Sequence, residues 1–382
     1  MDYRMKANTA TQSLRQRILA EIDGGGPMRV DRYVELALYD PQEGYYATGI
    51  RRVGKGGDFF TSVSVGAVFG GLLARRMVRE FDHLGRPGRW RIMELGANDG
   101  RLAADVLDAM AGIDSEALAA LEYVICEPLP SMREVQRDRL AGYSERVRVV
   151  SASNECADDV LPGIVFGNEV LDALPFHWVE WCDLQWWERR IGVGEDGRLQ
   201  AVLAGHPEGD VMEWLSVATE GLDLPDGWRC EVRTCWRGFL ESFLVAVMNP
   251  LMIWIDYGFL REELVVPHRS EGTWRAYRRH RIEIEPWDFP GECDLTAHVD
   301  FTGVCDAVES LGGRVLGLQA QGMWLTRLAA IDLASREGMT DPAWVRQFQT
   351  LTHPAHLGAK FHVLECTWED RTETLPTRQR SF

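Results

Sequence analysis

Apolar residues recur at two periods along this chain, and the switch between them marks its parts. From Trp90 onward, short unbroken apolar runs alternate with stretches of helical period. The runs predict strands at 90–95, 122–127, 146–151 and 163–167, with helices at 101–111 and 130–141 between them. Such alternation predicts a mostly parallel sheet with helices on its faces. Farther along, the pattern predicts a tryptophan-rich hairpin over 176–204 and a helix near 233–248. A core strand at 252–256, a helix at 300–311, a strand at 314–318, a helix at 323–335 and a final strand at 361–366 complete it.

The first 85 residues read differently. An amphipathic helix within 1–22 is separated by Gly24-Gly-Gly-Pro27 from a second over 30–39. Asp40-Pro41 ends the second, because a residue before proline avoids the helical region. A third helix is expected over 65–81. Between the last two lies a basic, glycine-rich stretch with Gly54, Gly56 and Gly57, expected to move as a lid. The resulting division is a helical region with a covering loop (1–85), a first core part (86–175), an inserted hairpin and helix (176–249), a second core part (250–370) and a tail (371–382).

The strand at 90–95 runs into Gly96-Ala-Asn-Asp-Gly100 and then a helix. Glycines there let backbone approach a ligand, and the helix start offers unpaired N–H groups. Glu127 ends the next strand, where a carboxylate accepts both hydroxyls of a ribose. The third glycine of the dinucleotide fingerprint is missing, which suits S-adenosylmethionine, without a pyrophosphate, better than NAD. A strand-turn-helix with solvated polar residues is the bland alternative. Asn168, Glu169 and Asp172 follow the strand at 163–167 and fall at the same rim, suggesting an acceptor site. Helix capping by Asn168, with Glu169 favoured by the helix dipole, explains the same residues without function.

Composition narrows the classes. The 382 residues are 46% hydrophobic, enough for one large domain or two ordinary ones. No apolar run nears the roughly 20 residues of a membrane helix, and the first 22 residues lack the apolar centre of a secretory leader. The expectation is a soluble, cytoplasmic protein without membrane insertion. Eight cysteines include no Cys-x-x-Cys pair, and His353-Pro-Ala-His356 has no evident third ligand, so no metal is expected. The net charge of −17 disfavours nucleic acid and favours cationic partners, although it also serves plain solubility.

Taken in order, several strings resemble the MidA family of S-adenosylmethionine-dependent methyltransferases, which includes the mitochondrial complex I assembly factor. They are Tyr39-Asp-Pro-Gln-Glu-Gly-Tyr-Tyr46, Gly57-Asp-Phe-Phe-Thr-Ser62 with Val68-Phe-Gly70, Glu94-Leu-Gly96, and Gly167-Asn-Glu-Val-Leu-Asp-Ala-Leu-Pro175. Later come Ile255-Asp-Tyr-Gly258, Gly272-Thr-Trp-Arg-Ala-Tyr-Arg-Arg-His280, Pro290-Gly291, Asp294-Leu-Thr-Ala-His-Val-Asp-Phe-Thr302 and Gln319-Ala-Gln-Gly322. Two departures occur. The family's Gly-Pro-Gly-Arg-Gly turn is here Gly96-Ala-Asn-Asp-Gly100, and its Thr-Ala-Pro-Glu-Ile-Ser-Gln is here Ser62-Val-Ser-Val-Gly-Ala.

The resemblance implies a class I, Rossmann-like α/β fold with a doubly wound sheet, and methyl transfer to arginine of a partner protein. A guanidinium is protonated at neutral pH, so two carboxylates are needed to hold it and take its proton. Glu169 and Asp172 are the first candidates and Asp58 the third. On the cofactor side, Gly96 and Gly100 allow close approach, Glu94 lies where the methionine amine would sit, and Glu127 takes the ribose. Asn154 is a candidate for the adenine amine, or a plain turn residue. Gly57, Asp58 and Thr61 are expected to close over the methionine end, with Asn168 nearby. The tryptophan stripe (Trp178, Trp181, Trp186, Trp187) reads first as packing, then as an acceptor groove or homodimer surface. Alternatives are a small-molecule N- or O-methyltransferase and a non-catalytic assembly factor on the same fold.

Overall fold

A computed structural model describes residues 13–48, 61–278, 281–334 and 341–368. The centre is a seven-stranded sheet of β1 (Trp90–Leu95), β2 (Leu121–Cys126), β3 (Val147–Val150), β4 (Leu161–Asn168), β5 (Val247–Asp256), β6 (Arg314–Ala320) and β7 (His362–Thr367). Their order across the sheet is β6-β7-β5-β4-β1-β2-β3. β7 runs antiparallel to both neighbours, and the other pairings are parallel. Every residue of β1 is buried. That is why its sequence reads as a continuous run rather than an alternation.

Helices cover both faces. On one, α3 (Val68–His83) and α4 (Arg101–Ile113) bury Phe69, Met77, Val106 and Leu107 against Ile92, Tyr123 and Phe166. On the other, α6 (Trp236–Leu244) and α7 (Phe301–Ser310) bury Leu240, Phe243, Val304 and Val308 against Met93, Val165 and Trp254. Each such side chain contributes about 1.5–3 kcal/mol. Between β1 and β4 the strand order reverses, and β2 and β3 continue on the far side of β1. The carboxyl ends of β1, β2, β4 and β5 therefore share one rim.

The N-terminal helices α1 (Leu14–Gly25) and α2 (Val30–Tyr39) pack on a second sheet built from Met28–Arg29, His177–Cys182, Gln185–Val193, Leu199–Leu203 and Trp228–Val232. They share a core with it through Ile18, Tyr33, Leu38, Trp178 and Ile191. The expected hairpin is thus part of a five-stranded sheet. Its tryptophans pack on one another, Trp181 on Trp186 at 5.0 Å and Trp186 near Trp228 at 6.1 Å. A small three-stranded sheet, Arg275–Arg278, Arg281–Glu283 and Asp294–Thr296, had no counterpart in the periodicity, since its strands are three or four residues long. The helix expected near 233–248 stops at Leu244, and β5 starts at Val247, with a register shift at Met248/Leu251 where Asn249 (φ 44°) precedes Pro250. That break hid the first half of the strand. A helix over Pro342–Thr352 was also unforeseen. Among the described residues, no helix is long and apolar enough to cross a membrane.

Candidate active site

On the β1–β2 side of the rim, the turn after β1 needs its first glycine twice over. Gly96 has φ 64°, and a Cβ there would meet Val170 Cγ2 at 2.6 Å. Asn98 (φ 48°) and Gly100 (φ 80°) complete the turn, and Gly100 leads directly into α4. Arg139 pins the turn from outside through the Asp99 carbonyl (2.7 Å) and carboxylate (2.6 Å).

Glu127 lies just beyond β2, buried. Its Oε1 accepts the Leu129 amide (2.9 Å) and its Oε2 accepts Gln136 Nε2 (3.1 Å). The same Gln136 nitrogen donates to the Asn98 carbonyl (2.9 Å), so one buried side chain on α5 (Pro130–Arg139) ties the glycine turn to the acidic residue. Burial pushes the Glu127 carboxyl up, against the Leu129 amide, Gln136 and Arg133. Glu94, also buried, accepts the Tyr123 hydroxyl (2.6 Å), and burial raises its carboxyl to about 8.

The β4–β5 side is assembled from distant parts of the chain. No helix follows Asn168. Instead the Val170, Leu171 and Asp172 amides all donate to Asp256 Oδ2 (3.1, 2.8 and 3.2 Å), at the end of β5. The Tyr257 amide donates to Asp256 Oδ1 (2.8 Å). Asp256 thus does for this turn what a capping residue does for a helix, and it replaces the capping role considered for Asn168. Glu169, ahead of the turn, is held at φ 56° with its amide on the Ile255 carbonyl (2.8 Å).

Asp172 is buried and accepts the Tyr257 hydroxyl. Its carbonyl accepts the Ala297 amide (3.1 Å) and the Arg233 guanidinium. Arg233 is itself buried and also bonds the carbonyls of Leu174 (2.9 Å), His298 (3.0 Å) and Ala297 (3.0 Å). Asn168 Nδ2 donates to Glu169 Oε1 (3.0 Å), while its buried Oδ1 has no partner among the described residues.

Burial raises the carboxyls of this cluster. Burial, then Asp172, lifts Glu169 to about 8; Asp294 adds to the rise, and Asn168 and the Ser62 amide oppose it. Burial raises Asp172 against the Tyr257 hydroxyl and Arg233, and burial with Asp172 raises Asp256.

Most of the residues singled out in the sequence converge here. Gly96, Gly100, Glu94 and Glu127 lie on the β1–β2 side, and Asn168, Glu169 and Asp172 on the β4–β5 side. Thr61 caps a short helix, its hydroxyl accepting the Ser64 amide (3.2 Å), and the adjoining Ser62 amide reaches Glu169. Asn154 is exposed on the 3₁₀ turn Ser153–Cys156. Gly57, Asp58 and the glycine-rich stretch before them lie outside the described residues. Sequence reasoning missed Gln136, Arg233, Asp256 and Tyr257. The Ile255-Asp-Tyr-Gly258 string was the available signal for two of them.

The chain is similar to known proteins over most of its length. A family model described as "Putative S-adenosyl-L-methionine-dependent methyltransferase" matches residues 72–319. The mitochondrial protein arginine methyltransferase NDUFAF7 of Mus musculus is 31% identical, with 94% of this chain and 84% of that protein covered. Its homologue in Drosophila melanogaster is 28% identical, covering 94% and 86%. A crystal structure from Burkholderia thailandensis, bound to S-adenosyl-homocysteine, superposes with a TM-score of 0.82 at 28% identity, covering 93% of this chain and 91% of that one.

These relatives correct one expectation. The curated proteins are named as mitochondrial, which overturns the cytoplasmic location. A mitochondrial transit segment is amphipathic and lacks the apolar centre of a secretory leader, so the absence of that centre does not bear on it. The fold, the matched model and the relatives together establish that this chain belongs to the MidA-like family of S-adenosyl-L-methionine-dependent methyltransferases.

Proposed function

We propose that the protein transfers a methyl group to an arginine nitrogen of a partner protein. We read its sheet as a class I, Rossmann-like methyltransferase core, with the cofactor on the β1–β2 side and the acceptor on the β4–β5 side. The observation that carries the acceptor reading is the cluster of half-buried Glu169 and buried Asp172, backed by Asp256, with Asn168 Oδ1 left without a donor among the described residues. Such a set calls for a cation rich in N–H groups. The arginine methyltransferase names of the curated relatives support the same choice.

The residues present fit the cofactor. The backbone after β1 can be approached at Gly96, and Glu127 is held in place by two donors that leave it lone pairs for ribose hydroxyls. S-adenosyl-L-methionine, when bound, supplies a methyl carbon on a positively charged sulfur that leaves as a neutral thioether. The chain's own task is alignment and proton removal. Glu169 and Asp172 would hold the guanidinium and concentrate its lone pair on one nitrogen. As the N–C bond forms and the C–S bond breaks, that nitrogen's proton passes to a Glu169 oxygen. Asp58 is a further candidate base. Thr61 would stand at the methionine end, with Asn154 nearest the adenine. The acidic body, with a net charge of −17, would draw in a cationic segment.

The deciding experiment incubates the purified protein with whole-cell extract and isotopic methyl donor, separates protein from small molecules, and hydrolyses the protein fraction in acid. Methylarginine is the expected product. Label confined to small metabolites would replace this reading with that of a metabolite methyltransferase. An absence of transfer to any fraction, despite tight S-adenosyl-homocysteine binding, would favour a docking role for the fold.

A further inference from the structure

The string Ile255-Asp-Tyr-Gly258 holds Asp172 at two points. Asp256 Oδ2 accepts the Asp172 amide (3.2 Å), and the Tyr257 hydroxyl donates to Asp172 Oδ2. These partners lie 84 and 85 residues along the chain, at the end of β5. A third contact comes from Arg233, which donates to the Asp172 carbonyl. Asp172 is thus fixed at amide, carbonyl and carboxyl, and its carboxyl cannot turn without breaking the bond to Tyr257.

Tyr257 is itself fixed at backbone and ring. Its amide donates to Asp256 Oδ1 (2.8 Å), and its carbonyl accepts the Val299 amide (3.1 Å). The next residue, Gly258, lies so close to Val299 that a Cβ would sit 2.2 Å from its carbonyl oxygen. The half-buried Tyr257 ring meets the rings of His298 (5.5 Å, 78°) and Phe361 (5.7 Å, 86°) edge-on. Packing therefore sets the direction of the hydroxyl before it reaches Asp172. The other tyrosines nearby spend their hydroxyls elsewhere, Tyr39 on the Ala173 carbonyl (3.0 Å) and Tyr46 on Asp294 Oδ1 (3.0 Å).

The bond between Tyr257 and Asp172 has a chemical direction. A phenol ordinarily loses its proton near pH 10 and a carboxyl near pH 4, so the shared proton stays on the tyrosine oxygen. A donor held in this way favours the ionised carboxylate. Burial moves both groups upward, which keeps their order. Arg233 acts in the same sense, because its bond to the carbonyl of the same residue brings a positive charge close to the carboxylate. Glu169 and Asp256 oppose it as like charges. Glu169 stands differently. It is half-buried ahead of the turn, and its Oε1 accepts the neutral amide of Asn168 (3.0 Å). One carboxyl of the pair is thus arranged to stay charged, and the other to titrate.

Resting on the arginine reading above, we infer that Tyr257 is a positioning residue that divides the work between the two carboxylates. It keeps Asp172 ionised and aimed as the arm that holds the guanidinium. Glu169 is left to receive the proton as the N–C bond forms and the C–S bond breaks, and Tyr257 retains its own proton throughout. The test compares the full-length protein with Tyr257→Phe, which removes one hydroxyl and keeps the ring. Whole-cell extract supplies the acceptor and isotopic S-adenosyl-L-methionine the label. Methylarginine is counted after acid hydrolysis of the protein fraction, between about pH 7 and 9. The ratio of wild-type to variant rate cancels the Glu169 titration, which both share. Losing a hydrogen bond to a charged group moves a protonation equilibrium about 10-fold or more. The ratio should therefore be about 10 near pH 7 and fall below about 3 near pH 9, where Asp172 ionises unaided. S-adenosyl-homocysteine affinity should be unchanged.

A merely structural defect would lower the rate by the same factor at every pH. Such a constant ratio, or a ratio near 1 throughout, overturns the inference and leaves the arginine reading standing. A wild type that puts no label into methylarginine overturns both. Should Tyr257→Phe fail to fold, Asp172→Asn keeps an acceptor for the hydroxyl and removes the charge. Its transfer should be slower at every pH yet still rise with pH, since Glu169 remains the base. A flat profile or full activity in that variant overturns the inference.

Discussion

Glu127 and Asp256 are both buried carboxyls at the rim, yet they are held at very different range. Glu127 takes its donors from Leu129 and Gln136, two and nine residues away. Asp256 takes three of its donors from a turn 84 to 86 residues earlier, and Asp294 takes the hydroxyl of Tyr46 from 248 residues away. One half of the site is wired locally, within a strand, a turn and a helix. The other exists only when β4, β5, the N-terminal segment and the small sheet have all come together. Damage to the local half should therefore weaken one ligand, whereas damage to the assembled half should reach stability as well.

Asp256→Ala should give the largest effect. It leaves the amides of Val170, Leu171, Asp172 and Tyr257 without their acceptor in a buried turn. Orphaned buried donors cost about 1–3 kcal/mol each, partly recovered by relaxation, so a loss of roughly 3–5 kcal/mol is expected. Urea unfolding measures it, and methyl transfer should disappear with it. A variant as stable as wild type would remove the proposed contrast between the halves.

Glu169→Gln should lower methyl transfer by about 10²–10⁴-fold, the usual range for a lost general base, with S-adenosyl-homocysteine affinity unchanged. The pH dependence has a defined sign. Burial and the nearby carboxyls of Asp172 and Asp294 raise Glu169 from 4.5 to about 8. Its raised value favours the folded protein while it is protonated. That contribution is fully present below the ordinary value and is lost as pH climbs through 8. Catalysis needs the ionised form, so kcat/KM should rise over the same interval. Activity and stability should thus move in opposite directions between pH 7 and 9. In Glu169→Gln both the rising limb and the Glu169 part of the stability loss should vanish.

Legibility in the sequence follows the same division of range. The strand Trp90–Leu95, its glycine turn and Glu127 lie within forty residues, and apolar runs with turn chemistry mark them out. Glu169 and Asp172 were visible too, because polar residues interrupt an apolar stretch at a strand end. Asp256 was not. In sequence it is merely the last residue of a core strand, and its function as a cap depends on β5 lying beside β4. Arg233 was equally hidden, since its four partners are backbone carbonyls, which carry no sequence signature. The small sheet escaped because three-residue strands show no usable period.

Gln136→Leu tests the local half. The change removes the donor that Glu127 Oε2 and the Asn98 carbonyl share, while keeping the side chain's bulk. A single neutral hydrogen bond contributes about 0.5–1.5 kcal/mol. Donor affinity should therefore fall about 2- to 12-fold by calorimetry, with the unfolding midpoint nearly unmoved. A large loss of stability would mean that the glycine turn depends on this bridge for folding, and the local half would not be so local.

Asn154→Ala should change least. The residue is exposed on its 3₁₀ turn, whereas its neighbour Ser153 faces inward and donates to the Ser242 carbonyl. The turn's fold is thus carried by Ser153 and by Glu155, whose carboxylate accepts the Ser151 amide at 2.7 Å. Removing an exposed amide from a turn secured by its neighbours leaves only a direct ligand contact to lose. Donor affinity should stay within twofold if solvent competes for that contact. A 10-fold loss would mean that the adenine is shielded from water there. The nucleoside half would then extend past β3, and its wiring would span three strand ends rather than two.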